Sequence, residues 1–254
     1  MQQPGFSSTP LTRTFLYFLL AASTLTTLTS SKLQFHLQIV PHLFPQHQFL
    51  RLPLFQSIYA SSGELLFATL LIYHLRIVER IFGSRKFLSL LIYAYVVTSL
   101  VVPALLALGW VVSSGRWNYL SPGPTPLLFV LLAQYHAAVP STYKFSVLLP
   151  GGAGEISASD KVYAYILALQ LAACQPPGSV VAAAVGWVVG YAWRLDLLPS
   201  TRWRVGTRMV QIMGGEAEGR EFEILRRRLH GQDEVEDPGQ GPIVWRVLNQ
   251  FRGR

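Results

Sequence analysis

The stretch that most constrains this chain is residues 59–90, YASSGELLFATLLIYHLRIVERIFGSRKFLSL. An apolar run ends in a compact charged corner, Arg76, Glu79, Arg80, Arg85 and Lys86, with Gly83 inside it, and a second apolar run begins at Phe87. A soluble helical hairpin carries polar residues along one whole face. Here the charges are confined to the corner, as in two helices that sit in lipid and meet water at their ends. Composition agrees: of 254 residues 51% are hydrophobic and 13% charged, with mean hydropathy +0.35, whereas a soluble domain carries about 25% charged residues. Low, clustered charge indicates a polytopic membrane protein. The net charge of +8 does not point to nucleic acid, because the basic residues adjoin apolar runs instead of forming a face with stacking aromatics. A single cysteine, Cys174, excludes an intrachain disulfide and a cysteine-based zinc site. No cofactor or metal is expected.

Six spans follow from the hydropathy pattern. Span one covers about residues 14–29 and is short and Thr-rich. Its core resembles a signal peptide, but only Arg13 precedes it and Ser and Thr interrupt it, so it reads as a retained span. Residues 31–54 form a long, semi-apolar loop suited to the membrane interface. Its His36, His42 and His47 are irregularly spaced without a nearby carboxylate and read as interfacial polar residues, not metal ligands. Span two covers about 55–78 and span three about 87–108, with Pro103 near its far end. The loop 109–125 places Trp110, Trp117 and Tyr119 at headgroup level. Span four runs from Pro126, a favourable first-turn residue, to about Val139, and residues from Pro140 through the 150s read as a loop. Span five starts near Asp160 as an N-cap and ends before Pro176-Pro177-Gly178. Span six covers 179–193, where Ala182, Gly186 and Gly190 recur every four residues on one face and permit close helix packing.

Charge placement checks this count. Of the 21 Lys and Arg residues, only Lys32, Arg51 and Arg116 fall in one set of alternating loops. The positive-inside rule then puts both termini in the cytosol. The organisation expected is a membrane domain over 1–198 and a cytosolic tail over 199–254. Within the tail, residues 216–229 run from acidic to Arg226-Arg227-Arg228, which suits a helix dipole and offers either an anionic-lipid contact or a solvated helix end. Residues 233–241 form an acidic linker. The last segment, IVWRVLNQFRGR, is amphipathic: Ile243, Val244, Val247, Leu248 and Phe251 fall on or near one face, with Trp245 among them, as a docking surface for a partner or membrane.

Residues 79–87, ERIFGSRKF, resemble the segment after the second span of the rhomboid superfamily, where a Glu-Arg pair precedes a Gly-Ser-basic-Phe string. Phe49-Leu50-Arg51-Leu52 resembles the Trp-Arg signature of the rhomboid first loop, with Leu50 in place of tryptophan. Ser61-Ser62-Gly63-Glu64-Leu65-Leu66-Phe67 together with Arg76-x-x-Glu79-Arg80 resembles one rhomboid-like subfamily more closely. It is the UBA-domain-containing protein 2 family, whose fungal members are the second subunit of the Dsc ubiquitin ligase complex. The resemblance covers about residues 10–200 and implies an all-α, six-transmembrane rhomboid-like bundle.

Rhomboid proteases use a serine in Gly-x-Ser-Gly at the start of span four and a histidine in span six. The resemblance puts Thr125 at the serine position, within Gly123-Pro124-Thr125-Pro126, and Ala183 at the histidine position, three residues ahead of Gly186 in the glycine pair Gly186 and Gly190. Pro126 lacks a backbone N–H, a donor type from which an oxyanion hole is built, and spans five and six contain no histidine. A hydroxyl without a base is a poor nucleophile, so the resemblance implies a pseudoprotease. Its family implies an endoplasmic reticulum or Golgi membrane subunit of a ubiquitin ligase assembly. That subunit would have a RING-type ligase subunit, a UBX-domain protein, membrane lipids and transmembrane clients as partners. Relatives often end in a ubiquitin-binding UBA domain; the tail here shows no Met-Gly-Phe-type loop. Glu64 and His74 are intramembrane polar residues about 15 Å apart, and each is a functional candidate because of its cost in lipid. The bland readings are an interfacial Glu64 and a His74 belonging to the corner. Glu79 is expected to pair with Arg80 or Arg85. Two other classes remain: an active intramembrane serine protease with a displaced dyad of Ser141 or Ser146 with His136, and a small transporter or channel. Mid-membrane charge pairs and broken, repeated helices speak for the latter when present, and the sequence shows neither.

Overall fold

The computed structural model describes residues 5–6, 9–31, 34–43, 46–141, 143–148, 155–197, 205–206 and 209–210. In chain order the elements are α1 (Pro10–Leu28), α2 (Arg51–Leu54), α3 (Ser62–Phe82), α4 (Ser84–Val112), α5 (Thr125–Ala138), β1 (Lys144–Leu148), β2 (Glu155–Ser159), α6 (Val162–Ala173) and α7 (Gly178–Arg194). The chain divides into two compact units, Met1–Gly215 and Glu216–Arg254, and the second lies outside the described residues.

Helix α5 is the centre of the first unit. Thr125 to Leu128 and Val130 to Tyr135 are all buried, and its most extensive partner is α7. A Cβ added at Gly186 would overlap the Pro126 carbonyl and stand 2.9 Å from the Phe129 Cβ. One added at Gly190 would stand 2.8 Å from the Ala133 Cβ and 2.9 Å from the Val130 carbonyl oxygen. Both contacts advance in the same direction along the two helices, so α5 and α7 run parallel with their backbones touching. The Gln134 side chain donates to the Gly190 carbonyl at 2.6 Å, across the same seam. Ala182 is buried on this α7 surface as well.

Alongside its apolar core the unit buries several polar side chains and turns large apolar ones outward. Phe18, Leu25, Leu100, Leu108, Leu169 and Val188 are exposed on the outer helix faces, while Ser23, Gln56, Thr98, Ser99, Thr125 and Gln134 are buried. Exposed apolar residues on several helices suit lipid. Helices α1 and α4 have the length and hydropathy to cross a membrane. Helices α5 and α6 are apolar but have only 14 and 12 residues, about 21 and 18 Å long.

Four expectations need correction. The residues after Pro140, expected as a loop, hold an antiparallel hairpin, with Phe145 opposite Ala158 and Val147 opposite Ile156, a two-stranded addition to a helical fold. The cause is period-two alternation in KFSVL and EISAS on either side of a glycine-rich stretch. Residues 55–61 are not helical: α3 begins at Ser62, because Ser61 takes extended angles (φ −97°, ψ 135°), the usual N-cap conformation. Asp160 does not cap α6; Lys161 precedes that helix with helical angles. Finally, the compact unit continues past the expected boundary at 198, since Val205 is 3% exposed and packs in the core.

The α5–α7 seam yields a test. Gly186→Val should destabilise the bundle by about 1–3 kcal/mol, the usual cost of overpacking, and Gly190→Ala by less. Thermal unfolding in mild detergent reads both.

Candidate functional site

The corner is held by backbone geometry first. Gly83 ends α3 and precedes α4 at φ 75°, ψ 151°, a region that is essentially glycine-only. Its N–H closes α3 on the Glu79 carbonyl at 2.8 Å and its carbonyl receives Phe87 N–H at 3.0 Å. The two helices thereby turn sharply with one residue between them.

Glu79 is 1% exposed. Its carboxylate accepts from Leu11 N–H at 3.0 Å, Thr12 N–H at 2.7 Å, the Thr12 hydroxyl at 2.6 Å and the Ser84 hydroxyl at 3.2 Å. It is the N-terminal cap of α1, supplied from another helix. This corrects the expected pairing with Arg80 or Arg85. Adjacent residues on a helix do not face each other, which removes Arg80, and the first turn of α1 offers orphan N–H donors and the positive end of a dipole. The arginines serve other backbone groups. Arg80 donates to the Gly5 carbonyl at 3.1 Å. Arg85 Nε donates to the Val205 carbonyl at 3.0 Å, and Val205 N–H donates to Ser89 Oγ, also at 3.0 Å. Both backbone groups of Val205 are therefore clamped by α4. Arg76 lies 3.8 Å above the Tyr73 ring and donates to the Tyr73 carbonyl, and Lys86 lies over Phe82 at 4.7 Å.

At the other end of α3, Thr125 opens α5. Its hydroxyl lies 3.2 Å from the Tyr59 hydroxyl, and Tyr59 N–H donates to Ser23 Oγ on α1 at 3.1 Å. Gly123 makes room for this arrangement: a Cβ there would stand 2.5 Å from the Tyr59 ring. Gln56 bridges to Ser99 at 3.1 Å and Thr98 at 3.0 Å on α4. Ala183 is buried one turn ahead of Gly186, and Gly186 abuts Pro126, the residue after Thr125. The partner of the Thr125 hydroxyl is thus a phenol. His74 lies 3.2 Å from the Tyr135 hydroxyl, and His136 contacts the Tyr165 hydroxyl and the Trp187 ring, both on the corner side of the bundle. Glu64 is buried in the first turn of α3.

In the first loop, Arg51 donates to Gln48 and to the His36 carbonyl at 3.2 Å, while Leu50 is 79% exposed. Leu37 pairs with Leu120, which ties the first loop to the loop before α5. Val244, Trp245, Val247, Leu248 and Phe251 lie outside the described residues. Sequence reasoning missed Ser23, Gln56, Tyr59 and Val205 as connectors. A signal existed for Ser23, since Thr12, Leu16, Leu19, Ser23 and Thr26 share one helical face and are all buried.

The corner makes separable predictions. Glu79→Ala should cost roughly 2–6 kcal/mol, from two orphaned backbone donors at about 1–3 kcal/mol each, and should speed proteolysis within α1. Ser89→Ala should instead raise amide exchange at Val205 while α1 keeps its protection, as read by hydrogen exchange in detergent.

Comparison with known proteins places these features in a family. Residues 11–195 match the family described as Eukaryotic integral membrane protein (DUF1751). The DSC E3 ubiquitin ligase complex subunit 2 of Schizosaccharomyces pombe is 32% identical over 177 residues, 70% of this chain and 46% of the relative. The chain thus spans about half the length of that curated relative. No solved structure matches it significantly. With the match running from the second residue of α1 to the residue after α7, the chain belongs to the DUF1751 family of eukaryotic integral membrane proteins.

Proposed function

We propose that this chain is a catalytically inactive, rhomboid-like membrane subunit of a ubiquitin ligase complex in the endoplasmic reticulum or Golgi. It receives membrane substrates and anchors a UBX-type protein beside a RING-type ligase subunit. The observation that carries this reading is the likeness to the DSC complex subunit over 70% of the chain. The geometry around Thr125 supports the inactive state: its hydroxyl meets Tyr59, Ala183 supplies a methyl group where a base would stand, and an unassisted hydroxyl is a poor nucleophile. A displaced dyad on His136 gains no support, since that ring is engaged by Tyr165 and Trp187.

Six spans with both termini in the cytosol fit the charge distribution. The short α5 and α6 support a physical role. Helices of about 18–21 Å sit in a hydrocarbon core of about 30 Å, and such mismatch thins the bilayer locally. A thinned bilayer lowers the cost of holding a client helix of poor hydrophobicity beside the bundle. The lipid contacts and the docking role of residues 243–254 belong to the same proposal.

Purification from the native membrane in gentle detergent tests the reading. A RING ligase and a UBX protein should accompany the chain in near-stoichiometric amounts, and a clean monomer would overturn the adaptor role. Deleting residues 243–254 should lose one partner and leave the melting of the bundle unchanged; retention of every subunit would refute docking by that segment.

A further inference from the structure

We infer that Glu64 is the recognition site for a basic side chain carried by a client's transmembrane segment. The inference rests on the adaptor reading and names what the adaptor selects. Helix α3 carries two buried carboxylates, one near each end. Glu79 is satisfied by four donors. Glu64, 2% exposed, receives the Ser61 backbone N–H, half of a Ser61-x-x-Glu64 capping box. Its Oε2 is buried with no hydrogen-bond partner, alone among the carboxylate oxygens of the described residues.

The surroundings indicate what fits there. Tyr59, Tyr119 and Cys174 lie within electrostatic reach of the Glu64 charge. Tyr119 is exposed and stacks on His36, and Cys174 is half-buried, so the site borders the surface of the bundle. Arg51, the basic residue of the first loop, is committed to Gln48 and His36. Among the described residues no group of three His, Cys, Asp or Glu side chains can hold a metal ion. A carboxylate removed from water is stabilised most by a cation with hydrogen-bond donors. A Lys or Arg inside a transmembrane segment carries the mirror-image penalty and reaches sideways along its stem. One contact relieves both charges.

Cys174, the sole cysteine, is a built-in reporter. The probe is a single-span Leu/Ala segment of about 20 residues with one cysteine and, beside it, Lys, Leu or Glu, co-expressed with the full chain in its native membrane. Disulfide trapping at Cys174 should favour the Lys probe over the Leu probe at least about tenfold, the lower end for close charge pairs. Glu64→Gln keeps a capping acceptor, so it should abolish that preference while leaving Leu-probe trapping and detergent melting unchanged. Glu64→Lys should turn the preference toward the Glu probe. Equal trapping of Lys and Leu probes by the unmodified chain overturns the inference and leaves the adaptor role standing. An equal drop for both probes in Glu64→Gln overturns it too, marking Glu64 as a helix cap only. If no probe is trapped and the chain purifies without ligase subunits, the adaptor reading fails and takes this inference with it.

Discussion

Helix α1 begins where Glu79 puts it. An isolated helix start leaves its first N–H groups without partners, and in an apolar setting each such group is costly. Neither the Thr9 side chain nor any residue in the first turn of α1 supplies a cap. The carboxylate comes from α3, 67 and 68 residues away in sequence. The same short stretch fixes the α3–α4 turn through Gly83, holds Gly5 through Arg80 and clamps Val205 through Arg85 and Ser89. Segments preceding α1 and following α7 therefore converge on one turn of the bundle.

The rest of the unit follows from helices whose outer faces are apolar. Lipid provides no hydrophobic drive between helices, so association relies on close packing and interhelical hydrogen bonds. Both are concentrated around α5. Gly186 and Gly190 bring the α7 backbone against it, and Gln134 reaches across to Gly190. At its start Thr125 meets Tyr59, which is tied to α1 through Ser23. The start of α5 is thus a junction between three elements. The groups that line it satisfy one another.

Elements with long apolar runs were legible in the sequence. Among the described residues the longer helices, the sharp corner at Gly83 and the small-residue face of α7 follow from periodicity, glycine placement and charge clustering. The hairpin was not, because two five-residue strands around a glycine-rich stretch give a weak signal beside flanking helices. The role of Glu79 was not legible either: nearby arginines suggest ion pairing, whereas the actual donors are backbone groups brought in by tertiary packing. The inclusion of Val205 in the bundle has the same origin, since a lone valine in a polar tail gains meaning only from the Arg85–Ser89 clamp. Arg51 shows the intermediate case. Its motif marks it as special, but its acceptors, Gln48 and the His36 carbonyl, are fixed by the loop's own path.

The two acids of α3 put a sharper question than either does alone. They share a helix and are almost equally removed from solvent, so exposure does not explain their different surroundings. Glu79 has a structural explanation that uses its charge: two backbone N–H groups and two hydroxyls at the positive end of a helix dipole stabilise an anion better than a neutral amide. Glu64 has a structural explanation that does not. A capping box accepts glutamine as readily as glutamate, and glutamine avoids the desolvation of a full charge. The cap at Ser61 therefore accounts for a side chain of that length at position 64 but not for a carboxylate. What the carboxylate adds is affinity for a cation, and within the described fold its second oxygen has met none.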